Sequence, residues 1–229
     1  MKKLISALTF SIVFSYGMIN AAMADFVFGV SMMQGAYYGV GEETTYTSAS
    51  DSTKTKEAGA FTEANGEVFA EFQTDSGMGI GLAYIIGEVG TPGNTNIRNG
   101  DGATAGKAAV THTVSADFTN HITLYVITPR WNGLYMKAGV VQSDIETNES
   151  GMNSSYPDVD TSGIMLGLGF QKDTDAGVFI RLEASAAQYD DVSATSTGHD
   201  NDSGSDTANK VEIGDMMSAH GRISIGKAF

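Results

Sequence analysis

The sequence predicts an all-β fold, an eight-stranded antiparallel up-and-down transmembrane β-barrel. Three observations predict it: eight runs of period-two alternation, connections that alternate long and short, and aromatic residues gathered at the short-connection end. Composition sets the frame. A chain of 229 residues allows one all-β domain, or at most two small ones, and the absence of cysteine leaves no basis for a disulfide framework or a thiolate metal site. A formal charge of -14 disfavours nucleic acid and other polyanions as partners.

Residues 1–24 stand apart from the rest. Lys2 and Lys3 give a basic start, an apolar run follows from Leu4 through Ile19, and Ala22-Met23-Ala24 offers a small-x-small cleavage site. That order predicts a secretory signal peptide, too short and wrongly flanked for a spanning helix. Cleavage after Ala24 would leave 25–229 as the barrel and, with Lys2 and Lys3 lost, a formal charge of -16.

The expected strands follow in order. Asp25–Val40 opens on Phe26 and Phe28. Ala60–Thr74 sets Val68, Ala70 and Phe72 against Glu67, Phe69 and Glu71 on the opposite face. Met78–Val89 sets Met78, Ile80, Leu82, Tyr84 and Ile86 against Gly79, Gly81 and Ala83. Ala109–Thr128 carries Tyr125, and Leu134–Ile145 carries Lys137 as the one charge on its polar face. Thr161–Lys172 alternates Ile164, Leu166, Leu168 and Phe170 with Gly167, Gly169 and Gln171. Val178–Tyr189 alternates Ile180, Leu182, Ala184 and Ala186 with Phe179, Arg181, Glu183 and Ser185. Lys210–Phe229 closes the set. Side chains two apart share a sheet face, so each run has one apolar and one mixed face.

Three connections are short: Asp75–Gly77, Pro129–Gly133 and Asp173–Gly177, with the Asp, Asn, Gly and Pro chemistry of tight hairpins. Four are long and rich in Thr, Ser, Asn, Asp and Gly: Gly41–Gly59, Gly90–Ala108, Glu146–Asp160 and Asp190–Asn209. All three prolines, Pro92, Pro129 and Pro157, fall in connections, as strands that need every N–H require. An even strand count puts both ends on the short-turn side, the layout of an outer-membrane barrel with periplasmic turns and external loops.

If the mixed faces line a narrow lumen, Glu67, Glu71, Glu183, Lys137, Arg181 and Arg222 form a paired interior network, because an unpaired buried charge is prohibitive. Inward Gly79, Gly81, Gly139, Gly167 and Gly169 are expected to make room for Tyr125, Tyr135 or Phe69. Phe26, Phe28, Trp131 and Phe229 all fall at the short-turn level, as an interfacial aromatic girdle would place them. Phe229 shares its face with Ile225, Ile223 and Gly221 and so points to lipid at that rim, with Lys227 able to snorkel beside it.

The signal-peptide-like start, the eight strands, "EVFAEF" at 67–72, "GLYMKAGV" at 133–140 and "RISIGKAF" at 222–229 resemble the opacity-type, OmpA-like outer-membrane barrel proteins of Gram-negative bacteria. The resemblance covers 25–229. It implies the fold, the cell outer membrane with periplasmic termini, and Phe229 as the signal read by the barrel-assembly machinery. It does not imply a chemistry, because such proteins share a barrel rather than a reaction.

The catalytic search yields two paper constellations, His112 with Ser115 and His220 with Ser224 and Asp215, neither with a flanking motif. No enzyme activity and no cofactor is expected. Asp200–Asp206 alternates oxygen-bearing residues as Ca²⁺ loops do, but lacks the twelfth-position Glu, and a solvated loop is the expectation. The long connections are acidic through Glu42, Glu43, Glu146, Glu149, Asp158, Asp160, Asp190 and Asp191. The expected function is a structural, surface-exposed barrel whose external loops meet ligands on phage or host surfaces, set in lipid and lipopolysaccharide. The alternative is a narrow channel, cation-preferring because of the acidic rim.

Overall fold

The computed structural model describes residues 24–48, 51–99, 109–150, 155–197 and 208–229. Residues 1–23 of the expected leader, His199 and the Asp200–Asp206 run lie outside these residues, as does the side chain of His112.

Eleven strands are formed: β1 (Ala24–Ser48), β2 (Asp51–Thr74), β3 (Gly79–Ile86), β4 (Val89–Gly90), β5 (Asn94–Asn99), β6 (Ala109–Ile127), β7 (Leu134–Ser150), β8 (Val159–Asp173), β9 (Val178–Tyr189), β10 (Val192–Thr195) and β11 (Lys210–Ala228). Eight of them, β1-β2-β3-β6-β7-β8-β9-β11, hydrogen-bond in that order, and β11 pairs back onto β1. Every pairing is antiparallel and the ring is closed.

Register fixes the shape. Directly paired residues lead from Val27 through Glu71, Gly81, Tyr125, Gly139, Met165, Ala187 and Ser218 to Tyr37, ten residues further along β1. A stagger of that size over eight strands, at about 3.3 Å per residue and 4.8 Å per strand, tilts the strands by roughly 40°. The interior is then narrow enough for side chains to fill.

The two faces are inverted relative to a soluble barrel. Outward-facing Met32, Ile164, Leu166, Leu168, Ile180, Leu182 and Ile223 are exposed, while inward-facing Glu67, Glu71, Lys137, Arg181, Glu183 and Arg222 are buried. An apolar band outside and a polar filling inside define a membrane-spanning barrel, because only a closed sheet satisfies every backbone group in hydrocarbon. Phe26, Phe28, Trp131 and Phe229 are exposed at the short-turn rim, joined there by Phe72, whose ring lies 5.5 Å from that of Phe26.

The short turns are stitched into a rim. Gly77 and Gly177 take φ of +80° and +76°, the left-handed position that closes a three-residue hairpin loop. Arg130 N donates to Ser76 O, Gln171 N to Gly133 O, Ala228 N to Gly177 O and Phe229 N to Phe26 O.

The long connections differ from expectation. Gly41–Gly59 is strand rather than loop: β1 and β2 keep pairing until Ser48 meets Asp51, with a register shift between Tyr46 and Ser48, and β11 stays paired to β1 as far as Thr44. Its β2 side is exposed throughout 52–60, so both faces are wet and no apolar alternation marks it. Thr-rich composition and cross-strand charge carry it instead, with Glu42 opposite Lys56 and ion-paired to Lys54. Within Gly90–Ala108, β5 pairs with β6. β7 runs past Ile145 to Ser150, and β10 pairs with β11 inside Asp190–Asn209. Register slips between Tyr38 and Val40, and between Thr119 and Ile122, mark where the wall leaves the apolar band, and bulges there re-aim the strands.

Candidate functional site

The six charges named from the sequence all project into the lumen and meet as three ion pairs. The lowest is Arg181 on β9 with Glu71 on β2, a two-pronged contact of 2.6 Å (Nη1 to Oε1) and 2.9 Å (Nη2 to Oε2). Both residues are 1% exposed. Arg181 also donates to Gln171 Oε1 from Nε (3.0 Å) and Nη2 (2.8 Å), and Glu71 accepts from Tyr125 OH at 2.7 Å and from Gln73 Nε2. The guanidinium lies 4.8, 5.1 and 5.5 Å from the ring centres of Phe179, Phe69 and Tyr135. Pairing, fork geometry and ring faces together offset the desolvation of this buried charge.

The second pair is Lys137 Nζ with Glu183 Oε1 at 3.2 Å, the ammonium lying 3.8 Å over the Tyr125 ring. The third is Arg222 Nε with Glu67 Oε2 at 3.3 Å. Arg222 Nη1 donates to Ser185 Oγ at 2.6 Å, and Ser31 Oγ donates to Glu67 Oε1 at 3.2 Å while lying 2.9 Å from Ser224 Oγ. Because β11 and β1 are neighbours in the ring, this pair and the serine contact cross the closing seam.

Apolar layers bound the charges. Val27, Phe69, Ile127 and Phe179 are buried toward the short turns; Ile145, Met165 and Met216 are buried toward the extension, with Phe118, Val159, Val192 and Ile213 packed on them. Four inward aromatic rings each stand directly opposite a glycine on the next strand: Phe69 and Gly29, Tyr125 and Gly81, Tyr135 and Gly169, Phe179 and Gly226. A Cβ on Gly81 would stand 2.6 Å from Tyr125 Cζ and 2.7 Å from Glu71 Cγ, so the glycine is the space the ring and carboxylate fill. Gly79 and Gly167 differ from expectation: the atoms nearest a Cβ are Phe72 O and atoms of Gln73 at the first, and Ala184 O and atoms of Ser185 at the second, rather than those of a ring. Gly139 packs on Leu124 O and on the Cβ and Cα of Tyr125.

Sequence reasoning missed the neutral members, Gln171, Gln73, Ser31, Ser224 and Ser185, and a higher layer in which His121 Nε2 lies 3.4 Å from Tyr189 OH and His220 Nε2 lies 3.2 Å from Tyr37 OH. Their inward parity was the available signal. The second paper triad is not assembled: His220 faces Tyr37, Ser224 faces Ser31, and Asp215 is exposed in the extension with its N–H donated to Asp191.

The carboxylates of the long connections act largely as staples. Glu146 accepts from Thr119 Oγ1 (2.8 Å), Glu149 from Tyr156 N (2.7 Å), Asp158 from Thr147 N (3.3 Å) and Asp190 from Ser162 Oγ (2.9 Å). A hydrogen bond from Lys210 holds the Glu212 carboxyl below its usual range, and one to Glu42 holds the Lys54 ammonium above its own.

A closed ring with ion pairs inside and hydrocarbon-facing residues outside belongs to the membrane-spanning class of β-barrel. No family model and no curated protein matches the chain. Among solved structures, the fold is similar to the outer membrane protein OprG from Pseudomonas aeruginosa, at 10% identity over 88% of this chain and 96% of that one, TM-score 0.48. It is also similar to the outer membrane protease OmpT from Escherichia coli (9% identity, 89% and 97% covered, TM-score 0.45) and to the outer membrane protein AlkL in lipid bilayers (10% identity, 90% and 90% covered, TM-score 0.41). At such identities and scores, function has to be argued from this barrel's own residues.

Proposed function

We propose that the chain is a sealed outer-membrane barrel, a structural and surface-recognition protein whose external strands meet ligands on phage or host surfaces. The observation that carries this reading is the filled lumen. Three ion pairs span the interior, with an apolar layer on either side of them. Eight strands leave an interior that side chains can fill, and here large ones do. What remains for function is the wall that runs past the apolar band, stiffened by its own hydrogen bonds and presenting Thr, Ser and carboxylate groups. In this reading the short turns and both termini are periplasmic, lipid and lipopolysaccharide surround the band, and the strand ending on Phe229 is what the assembly machinery reads.

Single-channel recording of refolded protein in a planar bilayer tests the sealed lumen. A silent bilayer containing inserted protein is the expected result. Resolved unitary steps would make the chain a narrow conduit instead and end the sealed reading.

A further inference from the structure

The surface lysines of the long-connection half are gathered on one side of the ring. Tyr38 and Met217 stand opposite each other, both exposed, at that limit of the apolar band. Beyond them the described lysines are Lys54 and Lys56 on β2 and Lys210 on β11. Over the same height β6, β7 and β8 carry Asp117, Asp144, Glu146, Glu149 and Asp160 and, among the described residues, no lysine or arginine. Register sets the three lysines in two rows. Lys54, Thr44, Lys210 and Thr195 stand opposite one another across β2, β1, β11 and β10, and Lys56, Glu42, Glu212 and Ser193 form the row nearer the membrane. The adjacent row through Gly41 sends Ile213 and Val192 into the interior, so by parity these two rows face outward. Glu42 and Thr44 lie four and six residues past Tyr38. At about 3.3 Å per residue and a tilt of roughly 40°, that is about 10–15 Å further along the barrel axis. Lys54 is ion-paired to Glu42 and Lys210 to Glu212 at 2.6 Å, with Thr44 buried between the two lysines.

We propose that this outward face binds lipopolysaccharide from the side, with a phosphate group of its sugar core held between Lys54 and Lys210 over Thr44, and Lys56 reaching a phosphate nearer the hydrocarbon. Lys54 and Lys210 are two strand spacings apart, about 10 Å, a width that two lysine side chains can close on one phosphate. Exposed ion pairs are weak and readily exchanged. A phosphate monoester brings a charge of about -1.5 to -2 and three acceptor oxygens, and so displaces Glu42 and Glu212 as the partner of these ammoniums. A soluble polyanion is disfavoured by the formal charge of -14 and by the carboxylates on the other side of the ring. A lipid diffusing in the plane of the leaflet meets the lysine face directly. The inference rests on the outer-membrane reading above and names one contact within it.

The full chain is refolded in detergent and titrated with rough lipopolysaccharide, with the same lipopolysaccharide after chemical dephosphorylation, and with inorganic phosphate. The bound fraction is read by native mass spectrometry. A preference for the phosphorylated lipid of about fivefold per lysine, roughly a hundredfold for all three, is expected, and it should shrink as salt is raised. The combined variant Lys54→Gln, Lys56→Gln and Lys210→Gln should bring that ratio to one. Its heat-modifiable gel mobility should be unchanged, because all three side chains lie on the surface. Lys172→Gln, at the short-turn rim, should leave the ratio as it is. Equal binding of the two lipids by the unaltered chain, or a preference that survives the combined variant, overturns the lysine assignment. A preference lost in Lys172→Gln moves the contact to the other rim and overturns it as well. Inorganic phosphate bound as tightly as the lipid, with the same dependence on the three lysines, overturns the lipid as the source of the phosphate. A chain with no heat-modifiable form in detergent overturns the membrane reading itself, and that failure is told apart by the gel before any titration.

Discussion

Replacing Arg181 by Met tests the interior network at its most buried point. The substitution keeps a long side chain among the Phe69, Tyr135 and Phe179 rings but removes both prongs to Glu71 and both hydrogen bonds to Gln171. Glu71 would keep Tyr125 and Gln73 as donors and lose its one directly bonded cation. Stranding a buried carboxylate in this way costs about 3–5 kcal/mol, against about 0–1 for an exposed pair. A second change separates pairing from packing. Glu71→Met combined with Arg181→Met removes both charges, and a buried pair replaced by apolar groups of similar volume is often near neutral. The double variant should therefore be more stable than Arg181→Met alone, with a coupling of about 2–4 kcal/mol. Denaturant titration in lipid vesicles, followed by far-ultraviolet circular dichroism and heat-modifiable mobility, measures all three proteins. An Arg181→Met cost below about 1 kcal/mol, or no coupling in the double variant, would show that the lumen is hydrated and the pair screened.

Next to it on the opposite face, Leu182→Arg should cost roughly 2–4 kcal/mol in the same titration if it lies near the bilayer midplane; a silent result would take β9 out of the membrane. Gly169→Val must displace the Tyr135 ring and should cost about 1–3 kcal/mol by denaturant midpoint, while Gly221→Ala should leave the midpoint where it is. Phe229→Ala should slow assembly and leave unfolded precursor in the periplasm, with little effect on barrels already inserted; unaltered pulse-chase kinetics would contradict its role as a signal. Because the chain has no cysteine, single cysteines at Thr53 or Asp158 should be labelled on intact cells by an impermeant maleimide, and one at Asp175 should not.

The barrel was legible in the sequence because each spanning strand has one face in hydrocarbon and one in the lumen, and that difference imposes alternation. β9 illustrates it: Ile180, Leu182, Ala184 and Ala186 face out, Phe179, Arg181, Glu183 and Ser185 face in. Where both faces are wet the constraint vanishes, so the β1–β2 extension through Tyr46 and Lys54 read as a loop. Parity also assigned the six charges to one side without saying which cation meets which carboxylate. That choice depends on strand stagger, which brings Arg181 on β9 across the lumen to Glu71 on β2, 110 residues away. Likewise the aromatic–glycine pairs depend on register between strands, so the sequence suggested rings for Gly81 and Gly169 and equally, without support from the structure, for Gly79 and Gly167.

The seam between β1 and β11 has a consequence in time rather than in space. It joins the first strand of the ring to be synthesised to the last, and its register runs unbroken from Val27–Ala228 to Tyr38–Met217. Until β11 is made, β1 carries an unsatisfied edge, and every strand behind it already exposes the apolar face meant for lipid. Such an edge is a template for pairing with any other chain. A nascent molecule is thus most adhesive during its whole transit and becomes inert in a single event, when its two ends meet. Escort across the aqueous compartment and closure within the membrane are therefore requirements written into the strand order.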